Sequence, residues 1–449
     1  MLKLKKLMAS IASVCMSGFM LAGCGGNPNS TDNSSNSNSG SQTTVTIWSW
    51  RSQDAPLWQQ VQDALNKNGA NVKIDFRAIQ PTSYNSVLQT AMDGGKGPDL
   101  MYMRAGLGVQ QYAAANMLMP LDGLVDFSQV NKGALSEAQY QGKTYGVPFA
   151  IQTMEVFYNK DIFAKYNLSE PKTWDDFIKI CQTLKSNGVT PIAAMGIQPW
   201  TLALASDEVT ATLLGNDFAQ KLVQKQVTLD SPEYIDALAH YQQLADYFEP
   251  NFKAVGSSGD EADQMFALGK SAMVLDGIFN VPKMLKFNPN LHLGAFLIPP
   301  VDPSKQHAQI EWYDDGAISV NSKISDPKVQ KAAEEIIKYT ATKEFGQAFS
   351  NIAGEISPIA GVEIPSKFPL SVQAYQWYQT VPINPPIGIR SPLDIPPPTP
   401  INQTTNAANT TMGIYSAKQQ VIVQMLAKEL TPEQTAKKLQ DMVSWYFKK

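Results

Sequence analysis

Cysteine and histidine are nearly missing from this chain, 3 of each among 449 residues. Cys15 and Cys24 both belong to the N-terminal segment, so Cys181 stands alone in the body of the chain. No disulfide framework is available, and stability has to come from a sizeable apolar core, which this length permits. His240, His292 and His307 are far apart, which leaves little support for a histidine-built metal site or triad. The G-x-S-x-G elbow, H-E-x-x-H, the phosphate loop and G-x-G-x-x-G are also missing; "GLGVQQ" at Gly106 fails at the last position of the dinucleotide pattern. Basic runs are lacking past the first few residues, and a net charge of −4 offers nucleic acid no electrostatic footprint. The chain also has little that crosses a bilayer: Leu7 to Leu21 falls short of the roughly 20 apolar residues required and is diluted by Ser10, Ser13, Ser17 and Gly18.

What stands at the N-terminus is an export signal, with Lys3, Lys5 and Lys6 ahead of that apolar run. Leu21-Ala22-Gly23-Cys24 resembles a bacterial lipobox. The resemblance implies cleavage after residue 23 and lipid on the sulfur of Cys24, with at least two acyl chains, since one chain holds a protein only marginally. Residues 27–42 are Asn, Ser, Gly and Thr with almost nothing apolar, too polar to offset the entropy of ordering. They are expected to form a flexible tether spanning roughly 20–24 Å, holding the folded part near the extracytoplasmic face of the cell membrane.

Residues 43–449 have ordinary globular composition, 43% hydrophobic and 17% charged over the whole chain. "TVTIWSW" alternates and is β-branched and aromatic, a strand ending at Trp50 and Arg51. Leu57, Val61 and Leu65 then recur at helical spacing, and "NVKIDFRAI" alternates again. With "PDLMYM" as a third strand, the order predicts a parallel sheet covered by helices, whose ligands sit outside the carboxyl ends of the strands. Gly146 to Tyr158 carries a further strand-like run. Thr173 and Asp176 form a capping box ahead of a helix that Gly188 closes. Cys181 shares that helix's apolar face with Trp174, Phe177, Ile178 and Leu184 and is expected in the core. Helices are also predicted from Ser231 and Pro232, after "DDGAISV", and over Val421–Leu430 and Pro432–Phe447. The proline-rich stretch Ile383 to Gln403 denies both ladder and helix bonds; it is either a loop beside a binding site or a plain connector.

Taken in order, "GKGPDLMYM", "YQGKTYGVPFAIQTMEVFYNKDIF", "EPKTWDDFIKICQTLKSNGVTPIA", "MFALGKSAMVLDGIFN" and "WYDDGAISVN" resemble the carbohydrate-binding extracellular solute-binding proteins of ABC transporters, of the maltose-binding type. The resemblance covers nearly all of residues 43–449. It implies an α/β, two-lobed periplasmic-binding-protein-like fold with three interlobe crossings and a central ligand cleft. The crossings are expected near Ala150–Thr153, Asp314–Ile318 and Ile352–Pro358. The division that follows is residues 1–23 as signal and 24–42 as lipidated tether. Residues 43–151 with 317–352 would form the N-terminal lobe, and 152–316 with 353–449 the C-terminal lobe. The function implied is a monomeric, lipid-anchored receptor that captures an oligosaccharide and hands it to the permease subunits of an ABC importer, with no cofactor and no catalysis.

A sugar offers hydroxyls at its edge and apolar C–H faces, so amides, carboxylates and Arg should meet the edge while aromatic rings stack on the faces. Carried over residue by residue, the resemblance places Trp50, Arg51, Ser52 and Gln53 at the end of the first strand, with core packing the other reading of Trp50. Arg104 lies in a loop where relatives keep ring and hydroxyl contacts and this chain has no Trp or Asp. Gln152 falls at the first crossing, where the maltose binder has a carboxylate; an amide can still bind hydroxyls, with a structural hinge residue the other reading. Gln198 and Trp200 match a carboxylate and aromatic pair. Phe279 and Asn280 follow the turn of "LDGIFN", where relatives often stack a Trp on the sugar, with core packing the other reading of Phe279. Trp312 and Asp314 lie at another crossing. Trp377 matches a late stacking ring, with the helix core as its equal alternative beside Tyr375 and Tyr378. Other functions remain open at this point: a glycosidase using a carboxylate pair such as Asp314 with Glu155, or the same fold holding a polyamine, peptide or metal.

Overall fold

The computed structural model describes residues 42–215, 217–257, 259–304, 307–381, 387–388, 391–394 and 412–448, apart from the side chain of Thr82. The export signal, the lipobox at Cys24, the tether up to residue 41 and most of the proline-rich stretch lie outside the described residues.

Strand β1 (Thr43–Ser49) buries Val45 and Ile47 on one face and pairs in parallel with β2 (Val72–Ala78) and β3 (Leu100–Arg104). Helix α1 (Ala55–Lys67) connects β1 to β2, and the spacing of Leu57, Val61 and Leu65 places all three in the core. Helix α2 (Pro81–Asp93) connects β2 to β3. β3 does not alternate, because it is covered on both faces: Leu100, Met101, Tyr102 and Met103 are all buried.

Beyond β3 the sheet departs from the parallel pattern that the first three strands predict. β4 (Val147–Asn159) is 13 residues long and buried throughout. Its later residues pair antiparallel with β6 (Ser271–Gly277) and β7 (Leu293–Phe296), while β5 (Thr190–Ala193) lies parallel to β6. Its earlier residues pair antiparallel with β8 (Glu311–Val320), whose other side pairs antiparallel with β3. The eight-stranded order is β2-β1-β3-β8-β4-β6-β5, with β7 on β4. β4 and β8, which run in opposite senses, give the sheet its antiparallel centre.

Two large apolar clusters flank this centre. One draws on residues 45–150 and 317–353, including Trp58, Tyr102, Phe149, Phe345 and Phe349. The other draws on residues 156–443, including Trp174, Phe177, Cys181, Phe218, Tyr234 and Tyr241, and a smaller one around Phe157 and Phe266 adjoins it. The chain passes between them in β4, in β8, and where helix α8 (Lys343–Ala353) ends at Gly354. There Ile151 N–H donates to the Ile356 carbonyl at 2.8 Å, stitching the third passage to the first.

Local signals explain why these elements begin and end where they do. Thr173 and Asp176 exchange side-chain and backbone hydrogen bonds at the start of α3 (Trp174–Ser186), which buries Trp174, Phe177, Ile180, Cys181 and Leu184. Ser231 caps α5 (Pro232–Leu244), and Thr431 caps α10 (Pro432–Met442), which follows α9 (Ile414–Leu426). Between α3 and α5 lies α4 (Trp200–Leu213); α6 (Glu261–Ala267) leads to β6, α7 (Pro327–Thr340) follows β8, and α11 (Pro369–Thr380) follows α8 in the chain.

Candidate functional site

The base of the site is the pair of crossing strands. Gln152 stands opposite Tyr313, and Thr153 opposite Trp312. Since side chains alternate along a strand, Gln152 and Tyr313 face one side of the sheet while Thr153 and Trp312 face the other. The register shifts at Asp314 to Ala317. Gly316 lies within that bulge, where a Cβ would come within 2.3 Å of the Met103 carbonyl and 3.0 Å of the Trp50 ring. Only glycine lets the hinge strand come so close to β3.

On the Tyr313 face, the second lobe contributes an aromatic wall. Trp200 opens α4 and Phe279 lies in the turn after β6; their ring centroids are 6.0 Å apart and inclined by 34°. Both are partly buried and pack with Met154, Leu204, Tyr313 and Tyr415. Tyr415, from α9, was not singled out by the sequence. It follows a long stretch of small and polar residues and lies six residues ahead of the predicted helix Val421–Leu430, whereas the helix begins at Ile414. Gln198 is also partly exposed, its Nε2 donating to the Ser257 carbonyl at 3.4 Å. Asn280 turns inward instead, donating to Asp276 Oδ1 at 2.9 Å, and is buried.

The first lobe presents the ends of β1 and β3. Trp50 is 8% exposed and packs edge-on against Tyr84 and Tyr102, with centroid separations of 5.3 and 5.7 Å. The Arg104 guanidinium lies 3.7 Å from the Trp50 ring centroid and 3.6 Å from Asp315. The outer face of Trp50 is thus covered by a cation, and Arg104 itself, one third exposed, is the group at the surface. Ser52 and Gln53 are exposed beside it.

Several of the expected ligand contacts are placed elsewhere. Arg51 is 3% exposed, with its guanidinium bonded to Asp54, Asp315 and Glu355. Gln152 is fully buried and donates from Nε2 to Glu355 Oε2 at 2.6 Å. Trp312 faces away from Trp200: it meets Tyr378 edge-on at 5.5 Å, and the Tyr378 hydroxyl accepts from Asn131 Nδ2 at 3.3 Å. Asp314 is buried at the bulge. Trp377 packs on the cluster of Phe266 and Ala374, while Tyr375 and Tyr378 stack together at 6.4 Å. The helix period of α11 decides this: residue 378 takes the face toward Trp312 and residue 377 the face toward the core.

Behind the aromatic wall the electrostatics are unusual. Glu155 on β4, Glu208 on α4 and Glu311 on β8 are at most 5% exposed. Both oxygens of Glu155 and of Glu208, and Oε1 of Glu311, are buried without a hydrogen-bond partner among the described residues. Burial pushes Glu155 and Glu311 up to about 8. Glu208 is pushed well above the carboxylate range by burial and then by its two acidic neighbours. Burial thus favours the protonated form of all three. Among the described residues no cluster of His, Cys, Asp and Glu is arranged to hold a metal ion.

Residues 49–347 match the family described as "Bacterial extracellular solute-binding protein". An uncharacterised ABC transporter extracellular-binding protein of Pyrococcus horikoshii is 25% identical over 361 residues, 78% of each chain. The multiple sugar-binding protein of Streptococcus mutans is 24% identical over 326 residues, covering 71% of this chain and 76% of its own. Among solved structures, a chitin oligosaccharide binding protein superposes with a TM-score of 0.71 at 20% identity, over 90% of this chain and 99% of its own. At that identity the superposition speaks for the two-lobed fold.

Proposed function

Because the chain belongs to the bacterial extracellular solute-binding proteins, we propose that it is a monomeric receptor that captures a carbohydrate between its lobes and delivers it to the permease of an ABC importer. The observation that carries this reading is the wall of Trp200, Phe279, Tyr313 and Tyr415 on one face of the crossing strands. Rings together with exposed polar groups suit a sugar's apolar faces and polar edge. Trp200 and Phe279 would stack, while Ser52, Gln53, Arg104 and Gln198 would reach hydroxyls. A micromolar ligand needs about −8 kcal/mol, so several hydrogen bonds of about 1 kcal/mol each must combine with stacked area. The relatives' names, a multiple sugar-binding protein and a chitin oligosaccharide binding protein, support an oligosaccharide.

The lobes in this reading are residues 43–151 with 317–352, and 152–316 with 353–449, supported by the separate apolar clusters on either side of β4 and β8. Lipid on Cys24 would hold the receptor at the outer face of the cell membrane. No helix of the described residues is long and apolar enough to cross one.

Turnover plays no part in this reading. Titration calorimetry of residues 42–449 against mono- and oligosaccharides, with chromatography of the sugar afterwards, tests both halves of it. Saturable binding with intact sugar is expected. A shortened sugar would overturn the receptor reading, and silence across the panel would overturn the carbohydrate.

A further inference from the structure

Arg51, Gln152 and Glu355 come from three distant parts of the chain, yet they meet in one buried network. We propose that they form a clasp that fastens the three interlobe crossings together and sets how readily the lobes change their arrangement.

The geometry is a guanidinium with each of its nitrogens engaged. Nε donates to Asp54 Oδ2 at 2.9 Å, Nη1 to Asp315 Oδ2 at 3.1 Å, and Nη2 to Glu355 Oε1 at 2.6 Å. The second Glu355 oxygen accepts from Gln152 Nε2 at 2.6 Å. Gln152 belongs to the first crossing, Asp315 to the second and Glu355 to the third, so one cation links all of them. The Arg51 plane also lies between Phe149 and Phe349, 5.4 and 5.5 Å from their centroids. Asp54 accepts in addition from the Tyr102 hydroxyl at 2.9 Å, which anchors the network in the core of the first lobe. Gln152 Oε1 is buried without a partner among the described residues, so the amide is held through its nitrogen alone.

Two consequences follow from this arrangement. A ligand hydroxyl would have to displace a charge-assisted bond to reach Arg51, so the residue acts on binding through the hinge and is a positioning residue. Because the clasp is rooted in the first lobe, bending has to occur on the far side of it, between Gln152 and Met154, between Trp312 and Asp314, and beyond Glu355. A fork with three filled positions is also specific to Arg, since a Lys ammonium is a point charge that cannot span three carboxylates set around a plane.

The test needs no ligand, so it stands or falls separately from the carbohydrate reading. Residues 42–449 carrying Gln60→Cys and Gln224→Cys, both exposed positions, are labelled with a dye pair; the free native thiol, Cys181, is buried. Energy transfer then reports the distribution of lobe arrangements. Glu355→Gln, Gln152→Leu and Arg51→Lys are each expected to shift the ratio of arrangements, or the rate of exchange between them, by about five-fold or more, the lower end of ordinary conformational coupling. Native far-UV circular dichroism identifies the variants that fold. If Glu355→Gln and Gln152→Leu fold and give the parent's transfer distribution and exchange rate, the network is a static brace and the proposal is overturned, even where Arg51→Lys fails to fold.

Discussion

Replacing Glu155 by Gln should flatten the pH dependence of stability, by an amount the structure allows to be worked out. Glu155 is fully buried on β4 beside Glu208 and Glu311, and burial raises it from 4.5 to about 8. The folded chain therefore holds a proton that the unfolded chain releases above 4.5. Stability from this group is complete below 4.5, is lost as pH rises through the interval up to about 8, and changes no further above it. Within that window one linked proton is worth about 1.4 kcal/mol per pH unit, so the wild-type chain gives up roughly 2–3 kcal/mol between pH 5 and 7 through Glu155 alone. Gln keeps the volume and a donor but carries no titrating proton. It also relieves Glu208 of one acidic neighbour, so the remaining slope should fall slightly further.

Urea unfolding of the ligand-free protein at pH 5, 6, 7 and 8 measures that slope. Amide exchange in β4 and β6 measures it for the second lobe alone, should the lobes open separately. Glu155→Gln is expected to reduce the proton linkage between pH 5 and 7 by about one. An unchanged linkage would mean that Glu155 is ionised and paired in the folded protein, and the account of a protonated acid cluster behind the aromatic wall would fall.

Trp200→Ala should weaken sugar binding by roughly 30-fold, about 2 kcal/mol, the ordinary cost of removing a central aromatic anchor; calorimetry decides it, and unaltered affinity would remove Trp200 from the site. Gly316→Ala puts a methyl group against the Met103 carbonyl and the Trp50 ring and should cost about 1–3 kcal/mol, seen as a lower melting temperature. Thr173→Ala removes one half of the capping box of α3 and should cost about 1 kcal/mol by the same measurement, while leaving ligand affinity alone. An effect of Thr173→Ala on affinity would mean that the end of α3 communicates with the hinge.

Features that rest on local periodicity were legible in the sequence. Leu57, Val61 and Leu65 repeat at helical spacing and are buried, Thr173 and Asp176 cap the helix they precede, and Cys181 lies in the core. The antiparallel centre was less legible, because β4 is buried at all of its positions and so shows no alternation from which pairing could be read. At the site, what was missed is what depends on contacts across hundreds of residues. Arg51 reaches partners 264 and 304 positions away, and a buried Arg at a strand end has the same local sequence as one that greets a ligand. Trp377 and Tyr378 are neighbours in sequence, yet about 100° of helix rotation separates the core from the ring that meets Trp312.

The protonated glutamates and the Arg51 clasp show one division of labour from two sides. Charge near the first lobe is kept and fully paired: Arg51 is held charged by Asp54, Glu355 and Asp315, against the cost of burial. Behind the aromatic wall, by contrast, burial favours the neutral form of Glu155 and Glu311, while other buried acids of the second lobe, Asp263 and Asp207, pair with Lys283 and Lys418. An ionised pair resists separation, because breaking it strands a charge in low dielectric at a cost of about 3–5 kcal/mol. A neutral acid cluster imposes no such directional constraint on the strands around it. The crossings are fastened where the Arg51 network joins them, and β4 and β8 run on from it toward Glu155 and Glu311. On the clasp reading, bending is expected just outside the network, at Thr153, Met154 and Asp314, next to the residues Met154 and Tyr313 that pack with Trp200 and Phe279.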